Sequence, residues 1–171
     1  MTIRLASVSD AERIARLHIE AWQWAYRGQL PDAYLDGLSD RLNERIASRT
    51  LALRSAEQRH WLAEDQTGLL GFAITNPSRD EDAGPLTAEV GAIYLAERAV
   101  GTGAGRALFA AAVDDLQARG YEEATLWVLE TNARARRFYE AAGWAPDGLT
   151  KTEQRANAIF WEVRYRVRLG Q

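Results

Sequence analysis

Hydrophobic and polar positions alternate most regularly near the end of the chain, where Ile159, Trp161, Val163, Tyr165 and Val167 are separated by Glu162, Arg164 and Arg166. A period of two predicts a strand over Ile159 to Leu169 with one buried and one exposed face. Near the start, Ala11, Ile14, Leu17, His18, Ala21, Trp22 and Ala25 recur at helical spacing instead. This predicts a helix to about Tyr26, opened by a Ser9/Glu12 capping box, closed by Gly28 and preceded by a short strand over Thr2 to Ala6. After Pro31 a second helical region covers Asp32 to Leu38 and Arg41 to about Arg54, broken at Gly37 and Ser39. Arg59 to Glu64 and Leu69 to Asn76 flank the turn Asp65-Gln66-Thr67-Gly68 and predict a hairpin. Pro77 to Pro85 is acidic and loop-like, the stretch expected to be least ordered.

A central strand over about Thr87 to Leu95 leads into three glycines at alternate positions, Gly101, Gly103 and Gly105. A helix starts within them and buries Leu108, Ala111, Ala112 and Leu116 on one face, with Gly120 as its stop. Ala124 to Leu129 reads as another strand and Asn132 to Ala142 as the next helix. The resulting order is β-α-α-β-β-β-α-β-α-β, an α/β chain without linker or repeat, and the whole of residues 1–171 is expected to form one domain.

Composition narrows the chemistry. With 47% hydrophobic and 26% charged residues in 171, the chain has the makeup of an ordinary globular domain. Cysteine is absent, which excludes disulfides, thiolate metal sites and an acyl-cysteine intermediate. His18 falls on the apolar helix face and His60 in a strand beside Trp61, without paired ligands or a serine signature, so no metal and no Ser-His-Asp triad is expected. A net charge of −3 gives no reason to expect nucleic acid. No apolar run approaches a membrane span and Met1 to Ser7 lacks the features of a signal peptide, so a cytoplasmic protein without membrane attachment is expected.

The glycine turn leaves main-chain N–H groups unpaired at the positive end of a helix dipole, an arrangement suited to a phosphate or pyrophosphate. A Walker A loop needs Gly-Lys-Ser/Thr, but Arg106 follows Gly105 and the sole lysine is Lys151. A G-x-G-x-x-G fingerprint fails in both registers, at Arg106 and at Leu108. What remains is strand, turn, G-x-G-x-G-R-A-L, helix.

That segment resembles the acetyl-CoA motif of the GNAT superfamily of N-acetyltransferases, Gln/Arg-x-x-Gly-x-Gly/Ala on a strand–loop–helix. Gly103 and Gly105 take the two small-residue positions, and Val100 stands where the family usually has Gln or Arg. A second segment, ETNARARRFYEAAGW, is similar to the family's N-x-x-A-x-x-x-Y-x-x-x-G-F through Asn132, Ala135, Tyr139 and Gly143, with Trp144 in place of Phe. Together the two cover about a third of the chain. The resemblance implies a twisted mixed sheet with helices on both faces and two parallel central strands that splay apart to admit the cofactor's pantetheine arm.

It further implies that acetyl-CoA is the co-substrate, with Ile93, Tyr94 and Leu95 pairing the pantetheine amides. Val100, Gly101, Gly103, Ala104, Gly105 and Arg106 would hold the pyrophosphate, Asn132 and Tyr139 would contact the cofactor, and Arg98, Arg106, Arg134, Arg136 and Arg137 are candidates to neutralise its remaining charge. For transfer to an amine, Glu89 is the first candidate base, with Glu97 and Glu130 as competitors. The N–H of Leu95 is the candidate oxyanion donor and Tyr139 the candidate acid for the leaving thiolate, although its apolar stripe also suits a core tyrosine. Trp22, Trp24, Tyr26 and Tyr34 are candidate walls for a small-molecule or peptide amine acceptor. The acidic run Asp80-Glu81-Asp82 would either attract a cationic acceptor or stay a solvated loop. A non-catalytic CoA-binding sensor is the alternative, and a homodimer is an open expectation.

Overall fold

The computed structural model describes residues 1–155 and 158–170. Seven strands form one sheet: β1 (Thr2–Leu5), β2 (Arg59–Asp65), β3 (Gly68–Pro77), β4 (Thr87–Leu95), β5 (Glu123–Leu129), β6 (Ala145–Arg155) and β7 (Ala158–Arg168), in the order β1-β2-β3-β4-β5-β7-β6. Every neighbouring pair is antiparallel except β4 and β5. The helices are α1 (Ala11–Ala25), α2 (Asp32–Asp36), α3 (Leu42–Leu53), α4 (Ala104–Ala118) and α5 (Ala133–Ala141). This is the mixed α/β sheet expected from the sequence, with one strand more. The sequence reading had no counterpart for β6, whose APDGLTKTEQR carries neither alternation nor an apolar run.

Period-two alternation sends neighbouring residues of one strand into different cores. Leu62, Phe72 and Ile74 pack with Ile14 and Leu17 of α1, whereas Ala63 and Ala73 pack with Ala104, Leu108 and Ala112 of α4. Helices therefore cover both faces. Beside α4, Phe109 and Leu116 join Tyr139, Trp144 and Tyr165 in a third cluster, where Phe109 lies 5.4 to 5.5 Å from the rings of Phe138, Tyr139 and Trp144. Burying four such rings supplies much of the apolar gain that holds α5 to the sheet.

Two local expectations are corrected. The first turn is opened by Ser7 and Asp10, not by Ser9 and Glu12: the Asp10 carboxylate accepts the Ser7 N–H at 2.9 Å and pairs with Arg4 and Arg13, while Glu12 pairs outward with Arg16. On β7 the predicted faces hold only at the strand's far end. Tyr165 is fully buried, but Ile159 and Trp161 are 64% and 59% exposed, and Arg164, expected in solvent, is 2% exposed.

The reason is the acidic loop. Arg164 binds Asp80 at 3.0 Å, Asp82 at 2.6 Å and Asp147 at 2.7 Å, and Trp127 Nε1 donates to Asp80 at 2.9 Å. Asp80 and Asp82 thus cover a buried arginine, and this part of the loop is held to β7 by ion pairs. The hydrogen bonds from Arg164 hold the Asp82 carboxyl at about 2, below its usual range.

Candidate active site

β4 and β5 pair in parallel only over Thr87–Ala88–Glu89, opposite Glu123, Ala124 and Thr125. Beyond Glu89 the two strands separate, and a cavity of about 1510 Å³ lies where they part. β4 stays attached to β3 with a bulge, since Ile74 faces Ala92 while Thr75 faces Val90, which leaves Gly91 as the extra residue. Leu95 opposes Gly71, and the amide of Ala96 donates to Leu70 O at 2.8 Å. That bond makes Gly71–Leu95 a non-hydrogen-bonded pair, so the N–H of Leu95 points away from β3 and toward the gap. Ile93, two residues earlier, presents its amide to the same side.

The Leu95 side chain anchors the next element. A Cβ on Gly71 would lie 2.5 Å from Leu95 Cδ2, and one on Gly105 2.9 Å from Leu95 Cδ1, so both glycines exist to let Leu95 sit between β3 and the start of α4. Gly101 and Gly103 have a different reason. Their φ values are +81° and +91°, with open space where a side chain would begin, so their role is conformational. Gly103 in the left-handed region is the N-cap of α4. Among the described residues the amides of Gly101, Gly103, Gly105 and Arg106 have no acceptor, while Ala107 N already reaches Gly103 O at 3.1 Å. Four unbonded N–H groups thus lie in the turn and first residues of a helix fifteen residues long, at its positive end, which is an arrangement suited to an anion.

Glu89 is 7% exposed and lines the cavity. Its carboxylate accepts from Asn76 Nδ2 at 3.3 Å and from Arg79 Nε at 3.3 Å. Glu97 and Glu130, its competitors, are absent from the cavity wall. Tyr139 also lines it, held between Phe109, Phe138 and Tyr165. Burial pushes its phenol well above the usual range, and the nearby Tyr94 adds to the shift. Asn132 caps α5, its Oδ1 accepting from Ala135 N at 3.0 Å, and its exposed edge faces the cavity.

Of the residues named from sequence, Ile93, Tyr94, Leu95, Val100, Gly101, Gly103, Gly105 and Arg106 all border this one space. Ala104 does not, because its side chain is in the core beneath the turn. The arginines divide. Arg106 and Arg134 line the cavity, but Arg98 donates to Leu69 O at 3.1 Å and Arg136 to Tyr165 Oη at 3.1 Å, away from it, and Arg137 is outside the wall. Trp24 and Tyr26 border the cavity with Trp22, whereas Tyr34 packs in the cluster of Leu30, Leu35 and Leu38. His60 is buried with neither ring nitrogen bonded among the described residues, and burial, followed by the charge of Arg49, lowers it to about 4.

The sequence reading missed Arg79, Trp127, Lys151, Glu153, Phe160 and Glu162, which complete the wall. Lys151 Nζ lies 4.2 Å from the Trp127 ring and 3.4 Å from Glu162. Their only signal in the sequence was indirect: Phe160 and Glu162 occupy the face of β7 opposite Trp161, and that face was assigned to solvent.

Comparison with known proteins agrees with this geometry. The acetyltransferase (GNAT) family model matches residues 14–144. The uncharacterized N-acetyltransferase YuaI of Bacillus subtilis (strain 168) is 34% identical over 143 residues, 82% of this chain and 78% of that protein. An N-acetyltransferase from Staphylococcus aureus Mu50 superposes with a TM-score of 0.76 at 22% identity, covering 99% and 98% of the two chains. The PaiA N-acetyltransferase from Thermoplasma acidophilum, solved in complex with coenzyme A, gives 0.71 at 20% identity over 98% and 99%.

Proposed function

The chain belongs to the acetyltransferase (GNAT) family, and from that premise we propose that it transfers acetyl from acetyl-CoA to a primary amine, on a small molecule or a peptide terminus, by direct attack in a ternary complex. One observation carries the reading. A single cavity joins the free amides of the glycine turn, the open edge of β4 and the buried carboxylate of Glu89. Open space in front of Gly101 and Gly103 fits a diphosphate resting on main-chain N–H groups.

Bound acetyl-CoA supplies an activated acyl group and a thiolate leaving group. The amides of Gly101, Gly103, Gly105 and Arg106 hold the diphosphate, with the Arg106 side chain adding charge at the rim. Ile93, Tyr94 and Leu95 offer an unpaired strand edge to the pantetheine arm. The N–H of Leu95 is fixed by β3 pairing before any ligand arrives, so it donates to the acyl oxygen without reorganisation. Glu89 takes a proton from the acceptor ammonium, directly or through water, which frees the nitrogen lone pair to attack the acyl carbon, and Arg79 pairs with the same carboxylate from a largely exposed side chain. Tyr139, protonated at neutral pH like any phenol and made a weaker acid by its burial, serves the departing sulfur as a hydrogen-bond donor.

Thiol release measured across a panel of amines tests this, with coenzyme A binding followed separately by calorimetry. Glu89→Gln is expected to lower kcat by about 10²-fold or more, and Tyr139→Phe by about tenfold, while both still bind the cofactor. Full turnover in both variants removes their assigned roles. Binding without thiol release for any amine leaves a CoA-binding module, and absence of binding heat sinks the whole reading.

A further inference from the structure

A second cavity, of about 270 Å³, opens on the α1/α3 side of the sheet. Its polar wall consists of Ser48, Arg49, Gln58, Asn76 and Arg79, and no carboxylate lines it. Arg79 and Gly91 border both this cavity and the active-site cavity, so these two residues are what lies between the two spaces.

Arg49 makes this pocket unusual. Its guanidinium lies 5.5 Å over the Phe72 ring, and burial lowers its pKa, opposed by the nearby Tyr94 and reinforced by the charge of Arg45. Among the described residues it has neither an ion-pair partner nor a hydrogen-bond acceptor. The buried Nε of Arg45 and both nitrogens of buried His60 are likewise without partners, and Arg49 and His60 are close enough for the charge of one to lower the pKa of the other. Elsewhere this chain matches its buried cations, as the three carboxylates around Arg164 show. A partly desolvated guanidinium without a counter-charge, facing a polar hollow, is complementary to an anion with two oxygens.

We propose that this pocket binds the anionic group of the acceptor, so that the substrate is an amine bearing a carboxylate or a phosphate a few bonds from its nitrogen, and not a polyamine. The inference rests on the transferase reading above. Asn76 and Arg79, each 3.3 Å from the Glu89 carboxylate, also line the pocket. One side chain's width therefore separates the carboxylate that receives the proton from the cation that receives the anion. The same anion gives Arg79 a second partner, which frees Glu89 for proton transfer once the acceptor is seated.

The test compares matched acceptors by thiol release: amino acids, the amines left by their decarboxylation, aminoalkyl phosphates, and spermidine. The expected preference for an anion-bearing amine over its decarboxylated counterpart is about tenfold or more in kcat/KM. The amino acid and phosphate arms identify which anion the pocket prefers. Arg49→Gln collapses the preference toward unity and Arg49→Lys restores part of it. Gln58→Glu, on the loop before β2, places a carboxylate in the pocket without disturbing α3 and abolishes the preference too. Thermal unfolding with and without inorganic phosphate gives a readout independent of turnover, in which the wild type gains more than Gln58→Glu does. A preference for spermidine or the decarboxylated amines, or an equal phosphate response in wild type and Gln58→Glu, overturns the inference while leaving the transferase reading intact. If no amine releases thiol but the phosphate responses differ, the anion pocket stands and the transferase reading falls.

Discussion

The glycine turn and the cluster around Arg164 are both built to hold negative charge, by opposite means. In the turn, closely spaced residues leave main-chain N–H groups free at the start of a helix, and the side chains at Gly101 and Gly103 are absent because the backbone conformation requires it. Around Arg164 the anions are the protein's own, drawn from Asp80, Asp82 and Asp147 onto one side chain in β7. A backbone site depends on φ and tolerates changes in side-chain charge. A side-chain site does the reverse. The contrast predicts which substitutions hurt stability and which hurt ligand binding.

The largest effect is expected at Arg164. Arg164→Ala leaves three carboxylates facing one another with only Arg166 nearby, and removal of one partner from a buried ion cluster costs about 3–5 kcal/mol. Urea unfolding at neutral pH measures it, and a loss below about 1 kcal/mol would break the comparison on this side. Because the glycine turn shares no contact with the cluster, coenzyme A affinity of the folded variant should stay within about twofold of wild type.

The turn should respond in the opposite manner. Gly103→Val forces a β-branched residue to φ +91°, where an L-residue is destabilised by roughly 1–2 kcal/mol. If the turn relaxes to escape that strain, its amides lose their arrangement and calorimetric affinity for coenzyme A falls about tenfold. Arg106→Gln removes a full charge at the same site yet should weaken binding only by about two- to fourfold, as expected of an exposed ion pair. The reverse ranking would mean that side-chain charge, not the main chain, holds the diphosphate.

The same contrast explains what the sequence made legible. The glycine turn is contiguous, so its spacing, its helix and its exclusion of Walker A and dinucleotide motifs could all be read directly, as could Asn132 and Tyr139 in a second short motif. β4 was bounded correctly because its apolar run ends at the turn. The opposite stretch of the cavity wall was not legible, since Arg79, Trp127, Lys151 and Glu162 lie on four separate segments, the last three of which meet only through the β5-β7-β6 order. Arg164 was misread for a related reason. Period-two alternation locates a polar face but cannot tell whether solvent or a distant acidic loop covers it. Even the three glycines, alike in the sequence, turned out to serve two purposes: conformation at 101 and 103, and close packing against Leu95 at 105.

The smallest expected effect concerns acid. Arg164 lowers the folded-state pKa of Asp82 from its ordinary 3.8 to about 2. A depressed carboxylate stabilises the fold fully above its unfolded pKa, and that contribution disappears as pH falls from 3.8 toward 2. The Asp82 side chain is 49% exposed, so solvent screening keeps its share below about 1 kcal/mol. Asp10, held low chiefly by Arg4, titrates in the same acidic range and would mask so small a term in a single titration. Comparing wild type with Asp82→Asn removes that background, because Asp10 is common to both. The difference in urea midpoint should be present at pH 5, shrink as the pH drops through the ordinary carboxylate range, and vanish near pH 2. A difference that is constant across the series would show that Asp82 acts through its shape and hydrogen bonds, and that the charge opposite Arg164 is carried by Asp80 and Asp147 alone.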